Sequence, residues 1–251
     1  MTDIKHNIDV IILAGGRGTR LNSVLSDRPK VLANINGRPF IFFLLDQICE
    51  AKFDRVIICT GYMGEYLENV IGNVYKSLHI DFSREKILLG TGGALRKATD
   101  LIKREWILVL NGDSYVDIRL QDLVSWHIKI GARFSVVVTS IEDSRRFGSV
   151  SLNFNNEIDQ FVEKYTPDKT NTRANNKLIN AGIYLIHKSI IQSFPTETAI
   201  SLEREILPSQ IGKGIFGYEA TGSFIDIGTP ESFRSAPEFF RSLQAGSNRS
   251  T

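Results

Sequence analysis

The sequence is poor in features that would point to several common classes of protein. Only two of its 251 residues are cysteines, Cys49 and Cys59, and both lie in apolar patterns typical of a helix and a strand. They predict buried thiols rather than a disulfide or a metal pair. No apolar run reaches the roughly 20 residues needed to cross a bilayer, and residues 1–9 lack the apolar core of a signal peptide. We therefore expect a cytoplasmic protein with no membrane partner.

The small net charge and the absence of common catalytic motifs exclude further classes. The net charge is +2, without the concentrated basic excess of a nucleic-acid-binding protein, so no nucleic-acid partner is predicted. The four histidines are scattered and lack the spacing of metal ligands. The G-x-S-x-G motif of a serine nucleophile is absent. These absences argue against a zinc site and against catalysis through a serine nucleophile.

What the sequence does have is a regular alternation of strand and helix patterns over residues 8–130. Such alternation predicts βαβ units, and hence an α/β fold with a Rossmann-like, mainly parallel sheet flanked by helices. Over residues 131–243 the strands have short or polar connections, so the sheet is expected to be mixed and to continue into this half. We expect one domain over residues 1–243 and a disordered tail over residues 244–251.

The pattern also predicts where the elements begin and end. Strands are predicted at residues 8–13, 55–59, 78–82, 106–110, 134–139, 148–154, 158–163, 179–186 and 224–228. Helices are predicted at residues 40–51, 64–71, 93–102, 201–207 and 230–242, and a polar loop at residues 167–177. Because ligands of such sheets bind beyond the carboxyl ends of the strands, site residues are expected just after residues 13 and 110.

The first predicted strand runs into the segment Leu13-Ala14-Gly15-Gly16-Arg17-Gly18-Thr19-Arg20-Leu21. Its glycines tolerate positive φ and have no Cβ, so successive backbone N–H groups can turn toward one anion. Arg17 and Arg20 add guanidinium donors that suit phosphate oxygens, and Lys30 follows shortly after. The spacing matches neither a P-loop nor a dinucleotide fingerprint, and an ordinary turn stays the alternative. The combination predicts a nucleoside triphosphate site.

A second glycine cluster, Gly90-Thr91-Gly92-Gly93, follows a predicted strand and opens a helix. Alone, it is typical of a turn between a strand and a helix. Together with the first cluster it predicts a flat backbone platform for a nucleobase, because side chains at these positions would displace the ring.

Two aspartates lie at predicted strand ends: Asp113, in Asn111-Gly112-Asp113, and Asp226, between two isoleucines. Carboxylates beside substrate phosphates are a usual setting for Mg²⁺, although Asn-Gly pairs also form ordinary turns. Burying Asp226 between apolar neighbours is costly without a partner. A magnesium ion shared by Asp113 and Asp226 would offset that cost.

The segment Gly15–Leu21, followed by Arg28-Pro29-Lys30, resembles the signature of the sugar-1-phosphate nucleotidyltransferases, and the similarity extends to about Pro230. These enzymes join a nucleoside triphosphate to a sugar 1-phosphate, giving a nucleotide sugar and pyrophosphate. Within the family, the chain is similar to guanylyltransferases that act on D-glycero-α-D-manno-heptose 1-phosphate or mannose 1-phosphate. Ser23 and Val31 stand where many members have proline, which bears on the rigidity of the loop rather than on activity.

The resemblance implies a nucleotide-diphospho-sugar transferase fold with a nucleotide-binding half and a sugar-binding lobe, divided at about residue 130. It implies GTP and a heptose 1-phosphate as substrates, Mg²⁺ as cofactor, and a role in surface polysaccharide synthesis. Mannose 1-phosphate, or another pair of base and sugar, stays an alternative.

The resemblance also assigns residue roles. The implied catalytic residues are Arg20, Lys30 and Asp113. The implied nucleotide-binding residues are Leu13, Ala14, Gly15, Gly16, Gly18, Thr19, Gly90, Thr91, Gly92 and Gly93. The implied residues for the sugar phosphate are Gly112, Glu163, Lys164, Asn180, Gly182 and Glu203, and the implied metal ligands are Asp113 and Asp226.

The sequence shows no candidate for a general base. This fits the chemistry, because a sugar 1-phosphate is already ionised at neutral pH and needs only positioning and positive charge.

Two rival functions stay open. A glycosyltransferase would be expected to carry an Asp-x-Asp metal motif, whereas this chain has Asn111-Gly112-Asp113. A non-catalytic regulatory subunit that binds nucleotide sugars should have lost a site cation or carboxylate. The sequence leaves open whether the chain forms a homo-oligomer.

Overall fold

The computed structural model describes residues 7–21, 24–141, 147–162 and 177–247. Their main feature is a ten-stranded sheet that runs through both halves of the chain. The strands are β1 (Ile8–Leu13), β2 (Asn34–Ile35), β3 (Arg38–Pro39), β4 (Arg55–Thr60), β5 (Val74–Tyr75), β6 (Leu78–Arg84), β7 (Trp106–Asn111), β8 (Ser114–Val116), β9 (Phe134–Ile141), β10 (Ser149–Leu152), β11 (Ile158–Val162), β12 (Lys177–His187), β13 (Ile215–Ala220) and β14 (Phe224–Asp226). The helices are α1 (Ile41–Glu50), α2 (Gly64–Ile71), α3 (Gly90–Ala98), α4 (Leu120–Ile130), α5 (Lys188–Gln192), α6 (Leu207–Gln210) and α7 (Pro230–Ser247).

The first half of the chain supplies the parallel part of this sheet. β1 lies between β4 and β7, parallel to both, and β6 lies parallel to β4. Side chains of β1 alternate between two apolar cores, with Val10 and Ile12 in one and Ile11 in the other. Helices α1, α2 and α4 contribute to the first core, and α3 and α5 contribute to the second. Burial on both faces explains why Val10–Leu13 of β1 and Val56–Cys59 of β4 are continuous apolar runs rather than alternating ones.

The second half extends the sheet with antiparallel strands. β12 lies antiparallel to β7 and also pairs antiparallel with β9, and β13 lies parallel to β9. β10 and β11 form an antiparallel edge. The sheet is therefore mixed and mainly parallel around β1, with helices on both faces, and the predicted fold class is confirmed.

The amino-terminal edge of the parallel strands holds a buried charge that the apolar pattern of β1 conceals. Asp9 is fully buried, and its carboxylate accepts from Nη1 of Arg55 at 2.9 Å and from the backbone N of Lys103 at 2.6 Å. Because removing one partner would leave a buried charge unpaired, this cluster fixes the edge of the sheet opposite the site.

Several element ends differ from the predictions. α3 begins at Gly90 rather than at residue 93, so the glycines predicted to precede the helix form its first turn. The helix predicted at residues 201–207 is a π-helix, Leu202–Ile206, that continues into α6. α7 runs to Ser247, so the prediction of a disordered tail is wrong for residues 244–247.

Other predictions fall partly or wholly outside the described residues. Of the loop predicted at residues 167–177, only Lys177 is described, and it begins β12. Both cysteines are free thiols, but only Cys59 is buried, whereas Cys49 is half-buried on α1. In the described ranges, no helix combines the length and apolar character that crossing a membrane requires.

Candidate active site

Two cavities open at the carboxyl-terminal edge of the parallel strands. The first cavity, of about 370 Å³, is bounded by the residues that follow β1 and β6 and by the start of α3. The second cavity, of about 640 Å³, is bounded by the same loop after β1 and by residues of β8, β12 and β14. Their place in the fold is where sheets of this type bind ligands.

The glycine-rich segment after β1 forms much of the first cavity, through Leu13, Ala14, Gly15, Gly16 and Gly18. A Cβ at Gly15 would lie 2.9 Å from Oε2 of Glu85 and 3.3 Å from the backbone N of Gly61. Gly18 has φ +61°, a conformation that strongly favours glycine. The glycines here therefore serve both the close approach of neighbouring loops and the turn itself.

The next residues of the segment lie elsewhere. Thr19 and Arg20 line the second cavity rather than the first, and the nucleotide contact of Thr19 stays a prediction. Arg17, which the sequence suggested as a phosphate partner, lines neither cavity and instead borders a smaller cleft with Tyr62 and Lys86.

The second glycine cluster divides into two roles. Gly90 and Thr91 line the first cavity. Gly92 and Gly93 line neither cavity, because they are buried against residues 198–200. The backbone N of Gly92 donates to the carbonyl of Ile200 at 2.9 Å, and a Cβ at Gly93 would lie 2.7 Å from the carbonyl of Thr198. Their small size thus serves packing of the chain, and their part in a nucleobase platform stays a prediction.

A shared wall separates the two cavities and faces both, and it consists of Gly18, Lys30, Asn111, Asp113 and Glu203. Nζ of Lys30 forms an ion pair with the carboxylate of Asp113. The side chain of Lys30 is only 17% exposed, so its ammonium acts in a weakly screened setting. A cation and a carboxylate therefore lie where the contents of the two cavities would meet.

Backbone pairing brings the two predicted metal ligands together. In the β8–β14 ladder Ser114 pairs with Asp226, and the backbone N of Ile227 donates to the carbonyl of Asp113 at 2.8 Å. Asp226 Oδ2 accepts from the backbone N of Gly228 at 2.7 Å. Both Asp113 and Asp226 line the second cavity.

These carboxylates fit a magnesium ion that substrate phosphates complete, because Mg²⁺ usually binds one or two carboxylates together with phosphates. In the part of the chain that the structure describes, no group of three or more acidic, histidine or cysteine side chains could hold a metal ion.

Gly112 lines neither cavity. Its backbone N donates to the carbonyl of Leu13 at 2.9 Å, and a Cβ would lie 2.6 Å from that oxygen. Gly112 therefore serves the close approach of β1 and β7, and its contact with substrate stays a prediction.

The second cavity also contains Asn180, Gly182 and an aromatic wall that sequence reasoning missed. The aromatic residues are Phe147, Phe161 and Phe224. Phe147 and Phe224 meet edge to face, with ring centroids 5.5 Å apart. Glu163 and Lys164, predicted to bind the sugar phosphate, lie outside the described residues.

A buried tyrosine joins the two cavities. The Tyr184 hydroxyl accepts from Nδ2 of Asn180 at 2.7 Å and donates to Oε1 of Glu203 at 3.3 Å. The other oxygen of Glu203 accepts from the Thr91 hydroxyl at 2.6 Å. Burial raises the pKa of Tyr184, so its hydroxyl stays protonated and able to donate. Asn180 therefore helps to position Tyr184, and its contact with the sugar phosphate stays a prediction.

Glu85 is a second residue that sequence reasoning missed. It follows the end of β6, is 8% exposed and lines the first cavity. Burial raises the pKa of its carboxyl group. The one signal in the sequence was a glutamate placed directly after a buried strand and just before a glycine cluster.

With this geometry in view, similarity to known proteins identifies the family. A model of the nucleotidyl transferase family matches residues 9–242. The chain belongs to this family.

Individual relatives agree with that assignment. This nucleotidyltransferase is 32% identical over 230 residues to the D-glycero-alpha-D-manno-heptose 1-phosphate guanylyltransferase of Aneurinibacillus thermoaerophilus, covering 91% of this chain and 96% of the relative. It is 31% identical over 232 residues to the mannose-1-phosphate guanylyltransferase of Mycobacterium tuberculosis, covering 91% of this chain and 63% of that one. The resemblance that the glycine and Arg-Pro-Lys motifs suggested is confirmed.

A solved structure has the same fold. The nucleotidyltransferase matches HddC from Yersinia pseudotuberculosis complexed with GMP-PN with a TM-score of 0.79 and 31% identity, covering 92% of this chain and 99% of that one.

Proposed function

We propose that this nucleotidyltransferase joins GTP to D-glycero-α-D-manno-heptose 1-phosphate, giving the GDP-sugar and pyrophosphate, for surface polysaccharide synthesis. The similarity to a heptose 1-phosphate guanylyltransferase along nearly its whole length supports this substrate pair. The similarity to a structure complexed with GMP-PN supports a guanine nucleotide.

The observation that carries the proposal is the shared wall between the cavities. The glycine-lined first cavity suits a nucleotide, and the larger second cavity suits a sugar phosphate. Lys30 and Asp113 line both, at the point where the two phosphates would meet. Such placement would hold the two negatively charged substrates next to each other, with the attacking oxygen in line with the bond that breaks.

The chemistry then needs few protein groups. A phosphate oxygen of the sugar forms a bond to the α-phosphorus of GTP, and the bond from that phosphorus to the β-phosphate oxygen breaks. No proton has to be removed from the nucleophile, which is already ionised. Lys30 and Arg20, which lines the second cavity, stabilise the charge that develops on the phosphates.

We propose Mg²⁺ as the cofactor, held by Asp113 and Asp226 with the substrate phosphates, where it would neutralise phosphate charge. The cytoplasmic location and any homo-oligomer stay predictions.

Mannose 1-phosphate is the second candidate, because a mannose-1-phosphate guanylyltransferase is nearly as similar in sequence. A panel of GTP, ATP, UTP and dTTP against heptose, mannose and glucose 1-phosphates, read by pyrophosphate release, tests both. We expect release with GTP and the heptose phosphate, and its loss when EDTA removes the metal. Activity that survives EDTA would contradict the magnesium proposal, and no release with any pair would contradict the function.

A further inference from the structure

The two candidate metal ligands belong to a small sheet beside the ten-stranded one. β8 and β14 form a two-stranded sheet, in which Val116 pairs with Phe224 and Ser114 with Asp226. Asp113 directly precedes β8, and Asp226 ends β14. The position of both carboxylates therefore depends on what holds β8 against the rest of the protein.

Gln47 of α1 holds the far end of β8. Its Nε2 donates to the backbone carbonyls of Val116, at 2.9 Å, and Ile118, at 3.0 Å. Gln47 is 6% exposed, and the other buried residues of α1 are apolar: Ile41, Leu44, Leu45 and Ile48. A buried amide thus joins a core helix to the strand that follows Asp113.

The setting of this amide shows which of its bonds matter. Turned over, the amide would place Oε1 rather than Nε2 against two carbonyl oxygens, so the two acceptors fix its orientation. Oε1 is buried and has no hydrogen-bond partner among the described residues. Because a buried acceptor without a partner lowers stability, the burial of Gln47 is explained by its two donated bonds to the β8 segment.

The ion pair of Lys30 and Asp113 is a second link between the same parts of the chain. Lys30 precedes β2, β3 and α1, so the ion pair and Gln47 both join this stretch to the β8 segment. In the proposed reaction Lys30 contacts phosphate and Asp113 contacts the metal, which separates the ion pair. Gln47 lines neither cavity, so its bonds persist while substrates are bound.

We propose that Gln47 is a positioning residue for the reaction: it fixes β8 against α1 and keeps Asp113 and Asp226 in place once Lys30 has left Asp113. This inference rests on the proposed function, because it requires substrates that separate the ion pair. Residues that orient metal ligands from behind contribute to metal affinity, and small misplacements of reacting groups lower the rate.

Gln47→Met tests this role, because it keeps the length of the side chain and removes both donors. In pyrophosphate-release assays, kcat per folded protein should fall about 10- to 100-fold, and the Mg²⁺ concentration for half-maximal turnover should rise about 10-fold. The KM values for GTP and the sugar 1-phosphate should each change less than about threefold, because the lost interaction acts on the transition state.

A binding measurement without turnover tests the same role. Mn²⁺ titrated by electron paramagnetic resonance into the complex with a non-hydrolysable GTP analogue should bind about 10-fold more weakly to Gln47→Met than to wild type. Gln121→Met is the matched control and should equal wild type in both experiments. Its Nε2 joins α4 to α1 through the carbonyl of Glu50, at 3.3 Å, and Gln121 lines neither cavity.

A purely structural role gives a different result. Gln47→Met would then unfold at a lower urea concentration, but its kcat per folded protein and its Mn²⁺ affinity would equal those of wild type, and the proposal would be wrong. Equal losses in Gln47→Met and Gln121→Met would also contradict it. If Gln47→Met does not fold, Gln47→Asn, whose amide reaches one methylene less far, should show the same changes at smaller size.

Failure of the proposed function is distinguishable, because wild-type protein would then release no pyrophosphate from any pair of substrates. The Mn²⁺ titration still decides the role of Gln47 in that case. Unchanged Mn²⁺ affinity in the folded Gln47 variant would overturn the proposal.

Discussion

The two cavities of this nucleotidyltransferase are built in different ways. Apart from the shared wall and Val31, the first cavity draws on two stretches of chain, residues 13–18 and residues 85–94. The second cavity collects short runs and single residues from β8, β12, β14 and the loops between them. A nucleotide site made of backbone is therefore local in sequence, whereas a site that reads a sugar is assembled only by the fold.

The difference suggests that the cavities should respond separately to substitution, except at the shared wall. Asp113→Asn removes the carboxylate that pairs with Lys30 and faces both cavities. We expect kcat to fall by about 10³-fold with either substrate varied, comparable to losing one preorganised electrostatic group. Asp117→Asn, exposed beyond β8 and outside both cavities, is the matched control for pyrophosphate-release kinetics. Near-normal turnover of Asp113→Asn would show that the shared wall takes no part in the mechanism.

Phe147→Ala tests the second cavity alone. The ring lines this cavity and packs on Phe224, so its loss removes apolar surface from the sugar side. The KM for the sugar 1-phosphate should rise about 30-fold while the KM for GTP changes less than twofold. Phe154→Ala is the control, because that ring is 94% exposed and lines neither cavity. A parallel rise in both KM values would show that the cavities are not independent.

Gly15→Ala is the converse test. The added Cβ would press on Oε2 of Glu85, 2.9 Å away, and displace it. We expect the KM for GTP to rise about 10-fold with the KM for the sugar 1-phosphate unchanged, since small misplacements of binding groups are costly. The sugar 1-phosphate kinetics of the same variant are the internal control, and an effect confined to them would contradict the assignment of the first cavity.

Tyr184→Phe should give the smallest loss of turnover, and we expect the same loss whichever substrate is varied. The variant removes one hydroxyl that bonds Asn180 and Glu203. Turnover should fall about threefold and the free energy of unfolding by about 1–2 kcal/mol, measured by urea denaturation. Tyr218→Phe, whose ring packs on Trp126 outside the cavities, should change neither quantity. Unchanged stability of Tyr184→Phe would mean that the buried hydroxyl contributes nothing to the link between cavities.

The same contrast explains how much could be predicted from sequence. The alternating strands and helices and the glycine loop follow from local patterns, and the structure places Gly15, Gly18 and Lys30 together as those patterns suggest. A sequence does not distinguish a glycine that admits a ligand from one that admits another segment of chain, and only the structure shows that Gly93 and Gly112 do the second.

The missed residues depend on tertiary structure. Tyr184 has the apolar strand surroundings of any core aromatic residue, and only the fold brings Asn180 and Glu203 to its hydroxyl. Glu85 is one of many polar residues that follow a strand, and its burial against the glycine loop arises from the alignment of β1, β4 and β6.

A crystal structure with a non-hydrolysable GTP analogue, Mg²⁺ and a sugar 1-phosphate tests the central claim most directly. We expect the base in the first cavity, the sugar in the second, and the α-phosphate beside Lys30 and Asp113. Electron density that placed both ligands in one cavity, or the triphosphate away from Lys30, would contradict it.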